Sequence, residues 1–430
     1  MKKMKKYSYI FTLLIAVLVC SCSNKDLYAP NGEGGEDVIL PNPDARYIYL
    51  DSGVKSRGNL VTGEKLQETF GAYGYKYDFS NKWTTYRVTA KPNVFGEDGT
   101  DANGNSYLAT PVAPQKVTYA DEIYSYTPIK QWDGAKYTFF AYYPFNHAKV
   151  AASDDKVEGT PYVSYSVDMG DSSNHADIMT AMFEDTSLSS SQYVYFNFYH
   201  RLAAIDVGAL NFYQYNYDLG ADATLPELVE GIAITEIKDE NGTLTGYLVT
   251  ENIQIEITSL AVAFTGIKYK GADIYLDKDF ETLNSDGSLA LPKGVKSLTN
   301  LTNTDPQPAY SIVRSPKTLH YNTDAAMQSI SADDANKTTM LFIPQVTGDS
   351  EAAPTVTTTV TFKKKRPDGS YLTDTNTNDT YTETKTATFN REIKESSRYY
   401  VQLTFTSSAV SINIITSDEW NDIKVGYEFE

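Results

Sequence analysis

Apolar residues recur at every second position in short runs along most of this chain, and a period of two is the mark of strands with one face in a core. Ile48 and Leu50 alternate with Tyr47, Tyr49 and Asp51, and the stretch from Tyr162 to Val167 keeps the same rhythm. Val194, Phe196, Phe198, His200 and Leu202 share one face of a long strand whose other face carries Tyr195, Asn197 and Tyr199. Ile253, Ile255 and Ile257 alternate with Gln254 and Glu256. Tyr137 to Tyr143 is a solid aromatic run stopped by Pro144, as a strand buried on both faces would be. Long amphipathic helical periods are missing, Tyr is abundant at 34 residues, and charged residues make up only 21%, so the expected class is all-β.

The turns agree with the strands. Asn241-Gly242 supplies the positive φ angles of a tight hairpin, and Pro367-Asp368-Gly369 turns another between Thr-rich arms. Near the end, Val401, Leu403 and Phe405, then Val410, Ile412 and Ile414, then Ile423, Val425, Tyr427 and Phe429 alternate most clearly of all. The last of these runs reaches Glu430, an unusual place for a strand because termini usually fray.

The N-terminus reads as an export signal. Lys2, Lys3, Lys5 and Lys6 precede an apolar run from Ile10 to Val19, followed by small residues and cysteine. That run is about half the roughly twenty residues needed to span a bilayer, so it is expected to be removed. Leu18-Val19-Cys20-Ser21-Cys22 resembles the lipobox of bacterial lipoproteins, and the small Ser21 before Cys22 makes Cys22 the expected lipid-bearing residue after a signal peptide over 1–21. The only cysteines are Cys20 and Cys22, so the mature chain can form no internal disulfide and must hold together by burial. Residues 22–44 are rich in Asn, Gly, Pro and Glu and read as a flexible tether. The Ser-rich break from Ser187 to Ser191 divides the remainder into expected domains at 45–190 and 191–430.

Charge and composition exclude several functions. The formal charge is −18, and loss of the four signal lysines leaves 33 basic against 55 acidic residues, or −22, which argues against nucleic acid or an anionic membrane surface as partner. No nucleophile set, paired metal-binding histidines or phosphate loop is recognisable, and we expect no enzymatic activity, cofactor or metal site. The histidines, His147, His175, His200 and His320, are scattered, and His200 on an apolar strand face reads as a hydrogen-bonded core residue. Asp101-Ala102-Asn103-Gly104-Asn105 begins like a calcium loop but lacks its later Gly and Glu. Asp168, Asp171 and Asp177 flank His175 in a loop read as solvated, and Lys363 to Arg366 as the exposed, protease-sensitive end of a hairpin.

Five segments in order resemble the fimbrillin family, the type V pilins of Bacteroidales: Tyr137 to Pro144, Asp177-Ile178-Met179-Thr180-Ala181, Phe196 to Ala203, Leu341-Phe342-Ile343-Pro344-Gln345, and Tyr399 to Leu403 followed by Trp420. The resemblance implies two tandem transthyretin-like β-sandwich domains, export as an outer-membrane lipoprotein, and a role in cell-surface pili (fimbriae) and adhesion. It also implies proteolytic loss of the first strand after an arginine, with a neighbouring subunit's C-terminal strand filling the groove so opened. Arg57 is the matching cut site and Arg46 the competing one; Ile423, Val425, Tyr427 and Phe429 are the donor knobs of residues 423–430. Partners on this reading are other pilus subunits, the outer membrane through the lipid, and a host glycan or protein ligand. The alternative is a monomeric surface lipoprotein that binds carbohydrate or acts as an adhesin. Cys22→Ala should leave the precursor uncut and unlabelled by radioactive palmitate; unchanged labelling would remove Cys22 as the lipid site.

Overall fold

The computed structural model describes the chain from Ile48 to Ser417, apart from 55–65, 84–93, 101–105, 109–113, 154–160, 188–192, 300–306, 331–338 and several shorter stretches. The described residues belong to one compact unit whose regular elements are strands apart from one short 3-10 turn. Among them no helix is long and apolar enough to cross a membrane.

A seven-stranded sheet runs in the order Tyr49–Val54, Tyr193–His200, Met179–Thr186, Lys136–Tyr143, Phe70–Tyr77, Gln115–Ala120, Ile123–Ser125. The aromatic run sits at its middle, and the period of two explains why it can be aromatic throughout. Tyr137, Phe139 and Ala141 enter one core with Phe70, Met179, Phe196 and Phe198, while Phe140 and Tyr142 enter a larger core with Tyr73 and Tyr75. Burial on both faces leaves no position for a polar side chain except a bonded one. Thr138 is such a case, with its hydroxyl 2.8 Å from that of Tyr77.

Two further sheets stack as a sandwich. One contains Ala203–Asn211, Arg398–Phe405 and Val410–Ser417; the other contains Gln254–Thr265, Thr355–Lys365 and Thr380–Thr388. Phe362 meets Phe405 edge-on at 5.1 Å between ring centres, and Phe264 meets Phe342 at 4.8 Å, so the sheets are joined by aromatic side chains. Ile253, Ile255 and Ile257 are wholly buried, as their alternation predicts. The Asn241-Gly242 turn joins Ile232–Lys238 to Leu244–Asn252 in a separate three-stranded sheet, with Gly242 at φ +82°. On the outer face of the Thr-rich arms, Thr357, Thr359 and Thr361 lie hydroxyl to hydroxyl with Thr386, Thr384 and Thr382 at 2.9–3.1 Å.

The pairing crosses the Ser-rich break. Tyr193–His200 follows that break yet pairs with Met179–Thr186 before it, and Tyr162–Tyr165 pairs with Lys270–Tyr275. The chain leaves the seven-stranded sheet at Arg201-Leu202 and continues directly into Ala203–Asn211 of the sandwich. At this crossing the Arg201 side chain is buried, and each of its three nitrogens makes a hydrogen bond. Nε donates to Glu395 Oε2 at 2.9 Å, Nη1 to Thr180 Oγ1 at 2.9 Å and to Tyr275 O at 2.7 Å, and Nη2 to Gly294 O at 3.3 Å. Beside it, buried His200 meets Asp177 through Nδ1 at 2.8 Å, which bears out its reading as a core residue. Gly294 has φ +69°, and a Cβ there would overlap the guanidinium, so glycine is required for both reasons.

Removing the guanidinium strands the buried Thr180 hydroxyl and the Tyr275 and Gly294 carbonyls, while Glu395, one-third exposed, can rehydrate; a stranded buried polar group costs about 1–3 kcal/mol. Arg201→Met should lower the unfolding free energy, read from the denaturant midpoint and slope, by at least that scale, and Arg201→Lys should not restore it because an ammonium cannot reach Glu395, Thr180 and both carbonyls in one plane. A variant within about 1 kcal/mol of wild type would show that the crossing is not held by this group.

Candidate functional site

Cys22, Arg46, Arg57, the tether over 22–44, the 101–105 loop and the donor positions Ile423, Val425, Tyr427 and Phe429 all lie outside the described residues. What the structure describes is the place the first strand occupies. The sequence places that strand at Tyr47 to Asp51; it runs Tyr49–Val54, with Ile48 buried just ahead of it.

This strand is the outermost of the seven and the sole parallel neighbour in the sheet. Tyr49 pairs with Tyr193, Leu50 with Val194, and so on to Val54 with Phe198. Its start is fixed from the far edge of the sheet as well. Ile48 N–H donates to Lys130 O at 2.9 Å, and the Tyr126 hydroxyl donates to Ile48 O at 2.8 Å while accepting from Lys130 N–H at 3.3 Å. Burial pushes the Tyr126 phenol well above its ordinary range, so it remains a neutral donor.

The ladder along one edge and the clamp at Ile48 make the strand a stave closing an apolar trough. Ile48 and Leu50 are 1% and 5% exposed, and they complete a core with Leu66, Phe70, Val117, Trp132, Phe196 and Phe198. Phe70 stands edge-on to Phe196 at 5.6 Å and to Phe198 at 5.3 Å. Each buried aliphatic is worth about 1.5–3 kcal/mol by transfer. Without the strand, the facing edge of Tyr193–His200 loses its backbone partners and becomes the kind of edge that recruits another strand. Tyr126 and Lys130 carry no local sequence signal for this role, because they act through a backbone carbonyl 78 residues away in the case of Tyr126.

Other sequence candidates resolve differently. Asp171 caps the short turn Ser172–Asn174, and Asp168 accepts from Gly170 N–H and the Asn174 amide and lies 3.7 Å from Lys149. Among the described residues no group of three His, Cys, Asp or Glu is placed to hold a metal. The basic run Lys363 to Arg366 is half-buried and engaged rather than an open hairpin end. Lys363 pairs with Asp379 at 2.9 Å, Lys364 lies 3.8 Å above the Tyr381 ring, and Arg366 forks onto buried Glu251 at 2.5 and 2.8 Å. Glu251 was not legible as its partner because 115 residues separate them.

No family model matches the chain, and no curated protein matches it. Among solved structures it is similar to a fimbrial protein from Bacteroides vulgatus, with a TM-score of 0.51 and 17% identity over 87% of this chain and all of the other. It also matches a fimbrilin from Porphyromonas gingivalis, with a TM-score of 0.35 and 11% identity over 87% of this chain and 98% of the other. The first likeness supports a fimbrillin-type fold for the chain, in agreement with the segments that carry the sequence resemblance.

Leu50→Asp places a carboxylate in the trough, at a cost of several kcal/mol that releasing the strand avoids. The variant should bind an apolar dye such as ANS more strongly with an unchanged far-UV circular dichroism spectrum. Unaltered dye binding, or global loss of strand signal, would each show that the strand is not a separable seal.

Proposed function

We propose that the chain is a structural subunit of a cell-surface pilus, held first at the outer membrane through lipid on Cys22, and contributing to adhesion. Its assembly proceeds by proteolytic loss of the first strand and entry of a strand from another subunit. The observation that carries this reading is one edge strand with Ile48 and Leu50 as buried knobs, packed over a core that includes Phe196 and Phe198.

A cut after Arg57 falls three residues beyond the end of Tyr49–Val54 and releases the whole strand, whereas a cut after Arg46 leaves it in place. The incoming strand needs apolar residues two apart, and Ile423, Val425, Tyr427 and Phe429 have that spacing. The fold shared with the Bacteroides vulgatus fimbrial protein supports the same conclusion. Pilus partners on this reading are copies of this chain or related subunits.

Deleting Asn421 to Glu430 should leave a monomer with nearly unchanged thermal unfolding that forms no ladders or fibres after cleavage near Arg57. Arg57→Ala should block both cleavage and fibres. Fibres formed by either variant would transfer the donor or the cut site elsewhere; a deletion that unfolds the monomer would place that strand in its own core and favour the monomeric lipoprotein.

A further inference from the structure

We infer that His175 is a proton-operated latch: neutral, it pins the connector 166–178 to the strand Met340–Phe342, and on taking up a proton it lets that connector go. The inference stands apart from the pilus reading and uses a different part of the molecule.

The geometry fixes which nitrogen carries the hydrogen. Leu341 N–H donates to His175 Nδ1 at 2.8 Å, so Nδ1 must be bare. Nε2 lies 2.9 Å from the carbonyl of Asp168, which only accepts, so Nε2 carries the hydrogen. Tyr310 completes the set, donating its hydroxyl to the same Asp168 carbonyl at 2.7 Å with its ring edge-on to the imidazole. A second proton has one place to go, Nδ1, and there it meets an amide hydrogen. The Leu341 bond cannot survive protonation.

The surroundings do not offer the cation a new home. On the connector itself, the Asp168 carboxylate is engaged by Gly170, Asn174 and Lys149, the Asp171 carboxylate accepts from Ser173, and Asp177 is held by His200. From the other packed elements come the neutral phenol of Tyr310 and the apolar Leu341 and Phe342. Burial accordingly lowers the proton affinity of His175 by more than its acidic neighbours raise it. The folded value lies below the ordinary value of about 6.5, so the stabilisation is complete above that pH and is lost as pH falls from there to the folded value.

The latch has a defined reach. The connector leads into Met179–Thr186, which pairs with the trough's floor strand Tyr193–His200, whereas Leu341 pairs with Ala204 in the sandwich. Acid therefore loosens one tie between the seven-stranded sheet and the sandwich.

The test is amide exchange at Leu341 in the full chain, corrected for the intrinsic rate, between about pH 7.5 and about pH 5. Below about pH 6.5 its protection should fall roughly tenfold per pH unit until the folded value is reached, while amides of Gln254–Thr265 hold constant. His175→Asn keeps an oxygen acceptor that does not titrate, and it should abolish the pH dependence while leaving His147, His200 and His320 in place. Protection of Leu341 that ignores pH in the wild type, or a His175→Asn variant with the wild-type profile, overturns the latch. If that variant does not fold, nitrogen-15 spectra of wild-type His175 decide: an imidazolium formed while Leu341 stays protected overturns it, and loss of protection in step with protonation supports it.

Discussion

The buried guanidinium of Arg201 is the interaction on which the arrangement of sheets depends. It sits where the chain passes from one sheet to the next with two residues between strands, and it collects acceptors from Thr180 in the first sheet, from Tyr275 and Gly294 at the ends of two paired strands, Lys270–Tyr275 and Val295–Thr299, and from Glu395 ahead of the last hairpin. A charge in that position is tolerable only if all of these groups are in place together, so the cluster specifies one packing among the many that aromatic, period-of-two sheets would otherwise allow. Neighbouring groups reinforce it: Ser396 Oγ donates to His200 O at 2.6 Å, and Arg201 N–H donates to Ile178 O at 2.8 Å. Segments far apart in the chain that resemble pilin motifs thus meet at one point, which gives a physical reason for Asp177, Thr180, His200 and Arg201 to occur together.

Against that fixed crossing, the first strand lies at the edge of its sheet. It has one ladder of six pairs and two clamps at Ile48, whereas its neighbour Tyr193–His200 is also tied to Met179–Thr186 through Tyr199 and His200 and runs straight into Arg201. Those ties anchor one end of the trough's floor independently of the seal. A receptive edge is useful only on a rigid floor, because a floor that collapsed would bury Phe196 and Phe198 against each other and leave nothing for a partner strand to fill.

Much of this was legible in the sequence because it is local. A solid aromatic run located Lys136–Tyr143, and alternation located Gln254–Thr265, Arg398–Phe405 and Tyr193–His200, although it carried the last on to Leu202, which lies in the crossing beyond the strand; Asn241-Gly242 located a hairpin, since side-chain period and turn angles are properties of a few adjacent residues. What could not be read was pairing over distance. The parallel partnership of Tyr49–Val54 with a strand some 140 residues on, the continuation of the first sheet across the Ser-rich break, and the burial of Glu251 under Arg366 each join segments that carry no mark of one another. His175 shows the same limit: its acidic neighbours suggested a solvated loop, and the backbone amide that gives it a role comes from Leu341, 166 residues away.

The central claim is that the first strand is a replaceable seal over a preformed trough, and amide exchange along residues 193–198 tests it most directly. These amides should be protected in the uncut chain, should exchange rapidly once the strand is cut away while those of Ala203–Asn211 stay slow, and should regain protection in assembled fibres. Protection that persists after the strand is lost, or that never returns in fibres, would contradict the account.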